Sequence, residues 1–264
     1  MILGLSALLE RSIERVLEDK TAIAFSGGID STLIATIARK HAKVDLITVG
    51  VEGCEDQEFS EKIAKELKLP LHKIVPNESD IIDAYKKTYS ILPLERKMLE
   101  ILTPVYLVAE TAQKMGHKSV LFGSGAEELF VGYERYLTYF DEGKDLDSIL
   151  KEEFKTLKQR DIAWVEKICR RFDIEARFPF YNNELAKMMF AVPIEDRIAD
   201  RELKKGLLRE AAKVLGTPKL ALMRRKKAMQ YGSGVHKIIM KNSESLGREF
   251  PAAKNDARQS NASS

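Results

Sequence analysis

Ser26, Gly27, Gly28, Asp30 and Ser31 stand close together in the run AFSGGIDST, residues 24 to 32. As residue types they are the parts of a phosphate cradle with a metal ligand beside it. Glycines let backbone N–H groups approach an anion without a Cβ in the way, and Ser26 and Ser31 add hydroxyl donors where a helix begins. Asp30 conflicts with a bare phosphate, because two anions repel. A divalent cation removes the conflict, since Mg²⁺ is held by one or two carboxylates together with phosphate oxygens. The acid therefore points to a nucleotide bound with its metal. Two commoner phosphate loops do not fit: GxxxxGKS/T needs a lysine before the hydroxyl, and GxGxxG needs a spacing that this run lacks. The plainer alternative is an ordinary strand-to-helix turn with capping serines. SGGxDS entire, between a buried strand and an amphipathic helix, favours function over it.

The surrounding pattern supplies those elements. Short apolar runs recur at TAIAF (21 to 25), VDLITVGV (44 to 51), LHKIV (71 to 75) and SVLF (119 to 122), as expected for strands buried on both faces of a parallel sheet. Between them lie segments of helical period, such as Leu33, Ile34, Ile37 and Ala38, and then Phe59, Ile63 and Leu67. Glu55, Asp56 and Glu58 open the second of these, where a helix dipole favours acids. The chain reads as α/β, a doubly wound, mostly parallel sheet over residues 1 to 140, preceded by an amphipathic helix in MILGLSALLERSIERVLEDK. In such sheets ligands bind outside the carboxyl ends of the strands, which is where AFSGGIDST turns. After Tyr133 the strand signals stop, and residues 141 to 246 read as a helical part that completes the site. Residues 247 to 264 are polar, pattern-free and expected to be disordered.

Composition excludes several classes. The 264 residues carry a net charge of only +3 with 31% charged residues, so no global field marks a nucleic-acid or membrane-surface protein. Two cysteines, Cys54 and Cys169, form no CxxC pair and argue against disulfide scaffolds and zinc ribbons. No apolar run of about 18 residues is present to span a membrane. A reduced, cytoplasmic setting is expected.

SGGIDS resembles the signature of the PP-loop ATP-pyrophosphatase superfamily, whose members adenylate a carbonyl or carboxylate and release pyrophosphate. Within it the chain is most similar to the synthetase domain of asparagine synthetases, in a standalone form, over roughly residues 15 to 240. The fold implied is the adenine nucleotide alpha hydrolase type. By this resemblance Ala24 and Val49, the latter in ITVGVEG, line the adenine pocket. Thr103-Pro104 resembles a pair that starts a helix.

FGSGAEELFVGYERY, residues 122 to 136, resembles the family loop SGEGSDExFGGYxxF. Gly123, Gly125, Glu128, Phe130, Gly132 and Tyr133 match. Glu127 stands at a metal-binding aspartate, Ser124 at a glutamate implicated in handling the acyl-adenylate and the incoming amine, and Val131 at a glycine. EARFPFYN resembles ExRxPFLD, with Tyr181 and Asn182 departing. KGLLRE resembles KxxLR, making Lys205 a phosphate contact, and RKKAMQYGSGV resembles an RxK segment in which Lys227 neutralises the leaving pyrophosphate. Against these readings, Lys205 and Arg209 also lie opposite a Leu203, Leu207 and Val214 stripe, as a solvated helix face would. The basic run MRRKKAMQYGSG, which opens at Met223-Arg224, would also suit RNA phosphates.

The implied chemistry is ATP-dependent amidation of a carboxylate, aspartate by family precedent, with ATP and Mg as cofactors. Asp30 and Glu127 are then the metal ligands, and Lys205 and Lys227 the catalytic cations. Because the first strand begins near residue 21, no glutaminase is expected ahead of it. The amine would be free ammonia, the product of a separate glutaminase subunit, or another amine; a homo-oligomer is compatible. Two rival readings are a PP-loop enzyme modifying tRNA or a nucleobase, although nucleic acid and membrane are not expected partners, and a non-catalytic ATP-binding module.

Overall fold

A computed structural model describes residues 1–225, 232–244 and 246. Helix α1 (Ile2–Glu14) leads into β1 (Lys20–Ala24), α2 (Ile29–Ala38), β2 (Lys43–Val49), α3 (Glu55–Leu67) and β3 (Leu71–Ile74). Then follow α4 (Glu78–Ile91), α5 (Arg96–Lys114), β4 (Ser119–Leu121), α6 (Ala126–Leu129), α7 (Glu134–Asp141) and α8 (Leu146–Thr156). A π turn (Lys158–Ile162) precedes α9 (Ala163–Arg170), β5 (Glu175–Arg177), α10 (Asn183–Met189), α11 (Ile194–Arg197), α12 (Gly206–Val214) and α13 (Lys219–Met223). A further helix covers Val235–Lys241.

The five strands form one parallel sheet in the order β3-β2-β1-β4-β5. Because side chains alternate along a strand, Ile23, Leu46 and Leu121 pack against α1, α2, α3 and α12 on one face. Ala22, Ile47 and Val120 pack against α5 and α9 on the other. Both faces are buried, as the near-continuous apolar runs require. The four expected strands and the N-terminal helix are all present.

Two expectations are corrected. Strands do not end at Tyr133: β5, only Glu175–Arg177, pairs with β4 through Ser119↔Glu175, Val120↔Ala176 and Leu121↔Arg177. A three-residue edge strand with a charge at each end, Glu175 and Arg177, carries no apolar run of its own to betray it. Nor does Pro104 open a helix; it lies inside α5. Its missing N–H removes only the bond to the Glu100 carbonyl. One apolar face, Leu99 and Leu102 before the proline and Val105, Tyr106 and Ala109 after it, is buried continuously and carries the helix through. Asn182, the departure at the end of ExRxPFLD, accepts from the N–H groups of Glu184 (2.8 Å) and Leu185 (3.1 Å) and caps α10 as an aspartate would.

Toward the amino ends of the strands, opposite the mouth where a ligand is expected, Asp45 gathers two imidazoles and an ammonium. His72 Nε2 is 2.9 Å away, His117 Nε2 3.1 Å and Lys20 Nζ 3.9 Å. Burial, and then the Lys20 charge, hold the His117 pKa below its usual value. A histidine kept neutral in the fold gives stability that is complete above the unfolded pKa of about 6.5 and falls as pH drops through it, because the unfolded chain then binds the extra proton. The urea midpoint of wild type should therefore decline from pH 7 to pH 5, and His117→Phe should make that decline shallower. Equal slopes in the two proteins would remove His117 as its source.

Both cysteines are buried and free. Among the described residues no helix is long and apolar enough to cross a membrane.

Candidate active site

The turn after β1 brings the chain to the carboxyl end of the sheet, where Gly27 adopts φ 65°. A side chain there would meet strain from the left-handed backbone and a Cβ 3.1 Å from the Phe59 carbonyl carbon and from Ser60 N. Gly28 caps α2. The turn's polar groups hold one another by long contacts. Ser26 N donates to Ser31 Oγ at 3.3 Å, Gly28 N donates to Ser26 Oγ at 3.4 Å, and Ser31 Oγ donates to the Gly28 carbonyl at 3.3 Å. Contacts of that length are weak, so an anion with better-placed oxygens would replace them at little cost. Ala24 and Val49 lie at the ends of β1 and β2 and share one apolar cluster on the α5 face.

The loop after β4 faces this turn across adjacent strands. Gly123 lies so close to Asp30 that a Cβ on it would be 3.2 Å from the aspartate Cβ. Glu127, in the first turn of α6, points back toward Asp30. Between them stands Lys205, whose ammonium is 2.9 Å from Asp30 Oδ1, 2.8 Å from Asp30 Oδ2 and 2.8 Å from Glu127 Oε1. Lys205 is only 7% exposed. Burial opposes its charge, but the two carboxylates more than offset this and raise its pKa. Gly132 makes the convergence possible, because a Cβ on it would overlap Glu127 Oε2 and Lys205 Cε.

The solvated-face reading of Lys205 and Arg209 is thereby corrected. Lys205 caps α12 with φ 57°. Arg209 is buried and donates to the carbonyls of Lys204 (2.8 Å), Leu203 (2.9 Å), Ala221 (3.2 Å), Leu222 (2.6 Å) and Arg224 (3.1 Å). Val214, assigned to the apolar stripe, is 53% exposed. Lys205 and Arg209 are turned inward because their charges hold other elements in place.

Two further residues escaped the sequence reading. Asp56 looked like a first-turn acid of α3, and Arg224 like the start of a basic run. They form a buried pair at 2.6 Å. The Arg224 guanidinium also donates to the Ser26 carbonyl at 2.5 Å and lies 4.2 Å from the centre of the Phe59 ring. It thus supports the Ser26 to Ser31 turn from behind. Similarly, buried Arg197 donates at 3.1 Å to the carbonyls of Glu128 and Leu129 and steadies the loop that carries Glu127. Burial, with the charge of Glu127 beside it, pushes the Glu128 carboxyl up to about 7. Lys227 lies outside the described residues.

The structure thus brings Ser26, Gly27, Gly28, Asp30 and Ser31 together with Gly123, Glu127 and Lys205 at one mouth. The asparagine synthase family model matches residues 4–145 and 138–249. This chain belongs to the asparagine synthase family. One relative, of Methanocaldococcus jannaschii, is named "Putative asparagine synthetase" 1, glutamine-hydrolyzing; it is 30% identical over 87% of this chain and 48% of its own length. Asparagine synthetase B of Escherichia coli, also glutamine-hydrolyzing, is 26% identical over 71% of this chain and 37% of its own length. The chain thus spans about half or less of these curated relatives. A solved NMN synthetase of Francisella tularensis has a TM-score of 0.46 at 15% identity, over 92% of this chain and 84% of that one, too distant to bear on the site.

Proposed function

We propose that this asparagine synthase family chain is an ATP-dependent, amide-forming synthetase that adenylates a carboxylate and passes it to an amine. The observation that carries the reading is the convergence of Asp30 and Glu127, from the turns after two neighbouring strands, on one cation beside a phosphate-shaped turn. Their fit to a divalent ion rests on donor chemistry: two carboxylates already gathered around a single positive charge, one of them at the start of a turn built for phosphate. Mg²⁺ held there would offset negative charge on a bound triphosphate.

The Ser26 to Ser31 turn would receive the β- and γ-phosphates, and Ala24 and Val49 the adenine. A substrate carboxylate oxygen attacks the α-phosphorus, and the bond to the β-phosphate oxygen breaks with its electron pair leaving on pyrophosphate. Lys205, and Lys227 by resemblance, would stabilise that leaving charge. The amine nitrogen then attacks the acyl carbon, AMP departs, and the nitrogen sheds a proton. Aspartate is the carboxylate that family precedent favours, and ammonia the simplest amine.

Incubation with Mg-ATP, ammonium and a panel of amino acids should give AMP and pyrophosphate in equal amounts with one carboxylate, aspartate foremost. ATP binding without turnover on any carboxylate would defeat the reading, and AMP release that requires RNA would replace it. In the same assay Gly132→Ala should lower turnover about 10²-fold, the usual cost of misplacing a catalytic group by an ångström. Wild-type turnover would show that the Glu127 and Lys205 geometry is not used.

A further inference from the structure

Lys205 occupies the place between the carboxylates that a divalent cation would take. Its ammonium meets three oxygens at 2.8 to 2.9 Å. Mg²⁺ binds oxygen at about 2.0 to 2.1 Å, so a metal on Asp30 and Glu127 would sit against the ammonium with both positive charges sharing the same acceptors. The lysine has little freedom to step aside into solvent. Its stem is buried against Gly132, and its backbone is fixed by the left-handed turn at Lys204 and Lys205 that starts α12. An ammonium taken off two carboxylates in a buried site needs another anion at once. The neighbouring turn at Ser26 to Ser31 is the place where one would arrive.

We infer that Lys205 is an exchangeable internal counter-ion, which makes divalent-cation binding at Asp30 and Glu127 conditional on a polyphosphate that takes over the lysine ammonium. The inference rests on the nucleotide reading of this site and adds its order of assembly: metal and nucleotide enter together, each strengthening the other by the same factor. It also gives Lys205 two successive partners, carboxylates before the nucleotide and phosphate oxygens after it.

The test uses Mn²⁺ as the probe, measured by the EPR signal of the free ion, on the full chain with and without a non-hydrolysable ATP analogue. The analogue's own chelation is subtracted with a protein-free titration. Wild type should bind Mn²⁺ about tenfold or more tightly when the analogue is present. Lys205→Met should bind Mn²⁺ alone about tenfold more tightly than wild type, and its response to the analogue should shrink to about threefold or less. Lys205→Gln, which keeps a polar head against the carboxylates, serves if the methionine variant does not fold, as judged by circular dichroism. Equal Mn²⁺ affinity in wild type with and without the analogue overturns the inference and leaves the synthetase reading standing. So does a folded variant that binds Mn²⁺ alone no better than wild type. No Mn²⁺ binding under any condition overturns both.

Discussion

Asp30→Asn should cut Mg-dependent pyrophosphate release about 10³-fold, the upper end of what one preorganised electrostatic group contributes, while the chain stays folded. Both oxygens of Asp30 meet the Lys205 ammonium, and the residue sits at the start of α2 within the Ser26 to Ser31 turn. Asparagine keeps the shape and one acceptor but removes the charge. Lys205 retains Glu127 at 2.8 Å, which is why folding should survive. Glu127→Gln should cost less, about tenfold, since Glu127 supplies one oxygen to the ammonium and its side chain is 30% exposed. Pyrophosphate release assayed alongside circular dichroism checks both. Comparable losses in the two variants would mean that the carboxylates are equivalent and that the asymmetry of their contacts has no chemical meaning.

The largest effect on stability is expected from Asp56→Ala. It leaves the Arg224 guanidinium, whose side chain is 1% exposed, without the carboxylate 2.6 Å away. Breaking a buried ion pair by removing one partner costs about 3 to 5 kcal/mol. For a chain of this size a loss of about 3 kcal/mol lowers Tm by roughly 6 to 12 °C. Arg224→Ala/Asp56→Ala should be less destabilised than the sum of its single changes, because the two residues are in contact. Urea denaturation of the four proteins measures the coupling. Strict additivity would show that the pair does not act as one unit. Turnover should fall in the single variants beyond what unfolding explains, since Arg224 also holds the Ser26 carbonyl.

Much of the frame was legible from local pattern. The first four strands are apolar runs, α1 is an amphipathic repeat, and SGGIDS sits where a strand gives way to a helix. Each depends on residues within a few positions of one another. What escaped depends on partners far along the chain. Lys205 and Asp30 are 175 residues apart, and Arg224 and Asp56 are 168, so nothing in either local run announces the pairing. The helical wheel misled for a physical reason. It assumes that charged side chains seek water, whereas Lys205 and Arg209 are buried by carboxylates and carbonyls that satisfy them. Pro104 misled in the opposite sense, because packing on both sides of it outweighs one lost hydrogen bond. The resemblance to the asparagine synthetases supplied Glu127 and Lys205, which no spacing rule would have joined to Asp30.

Strand β5 has a practical consequence for anyone dividing the chain. It arrives some fifty residues after the loop that carries Glu127, yet it covers the flank of β4, and the Phe122 N–H donates to the Arg177 carbonyl beyond it. A fragment ended near residue 140 would keep the Ser26 to Ser31 turn and the loop after β4 but present β4 as a bare edge with unsatisfied backbone groups. Such edges recruit strands from other molecules. Attempts to reduce the protein to its first 140 residues should therefore meet insolubility before any loss of chemistry, and adding back residues 175 to 177 with their flanking segments is the shortest repair.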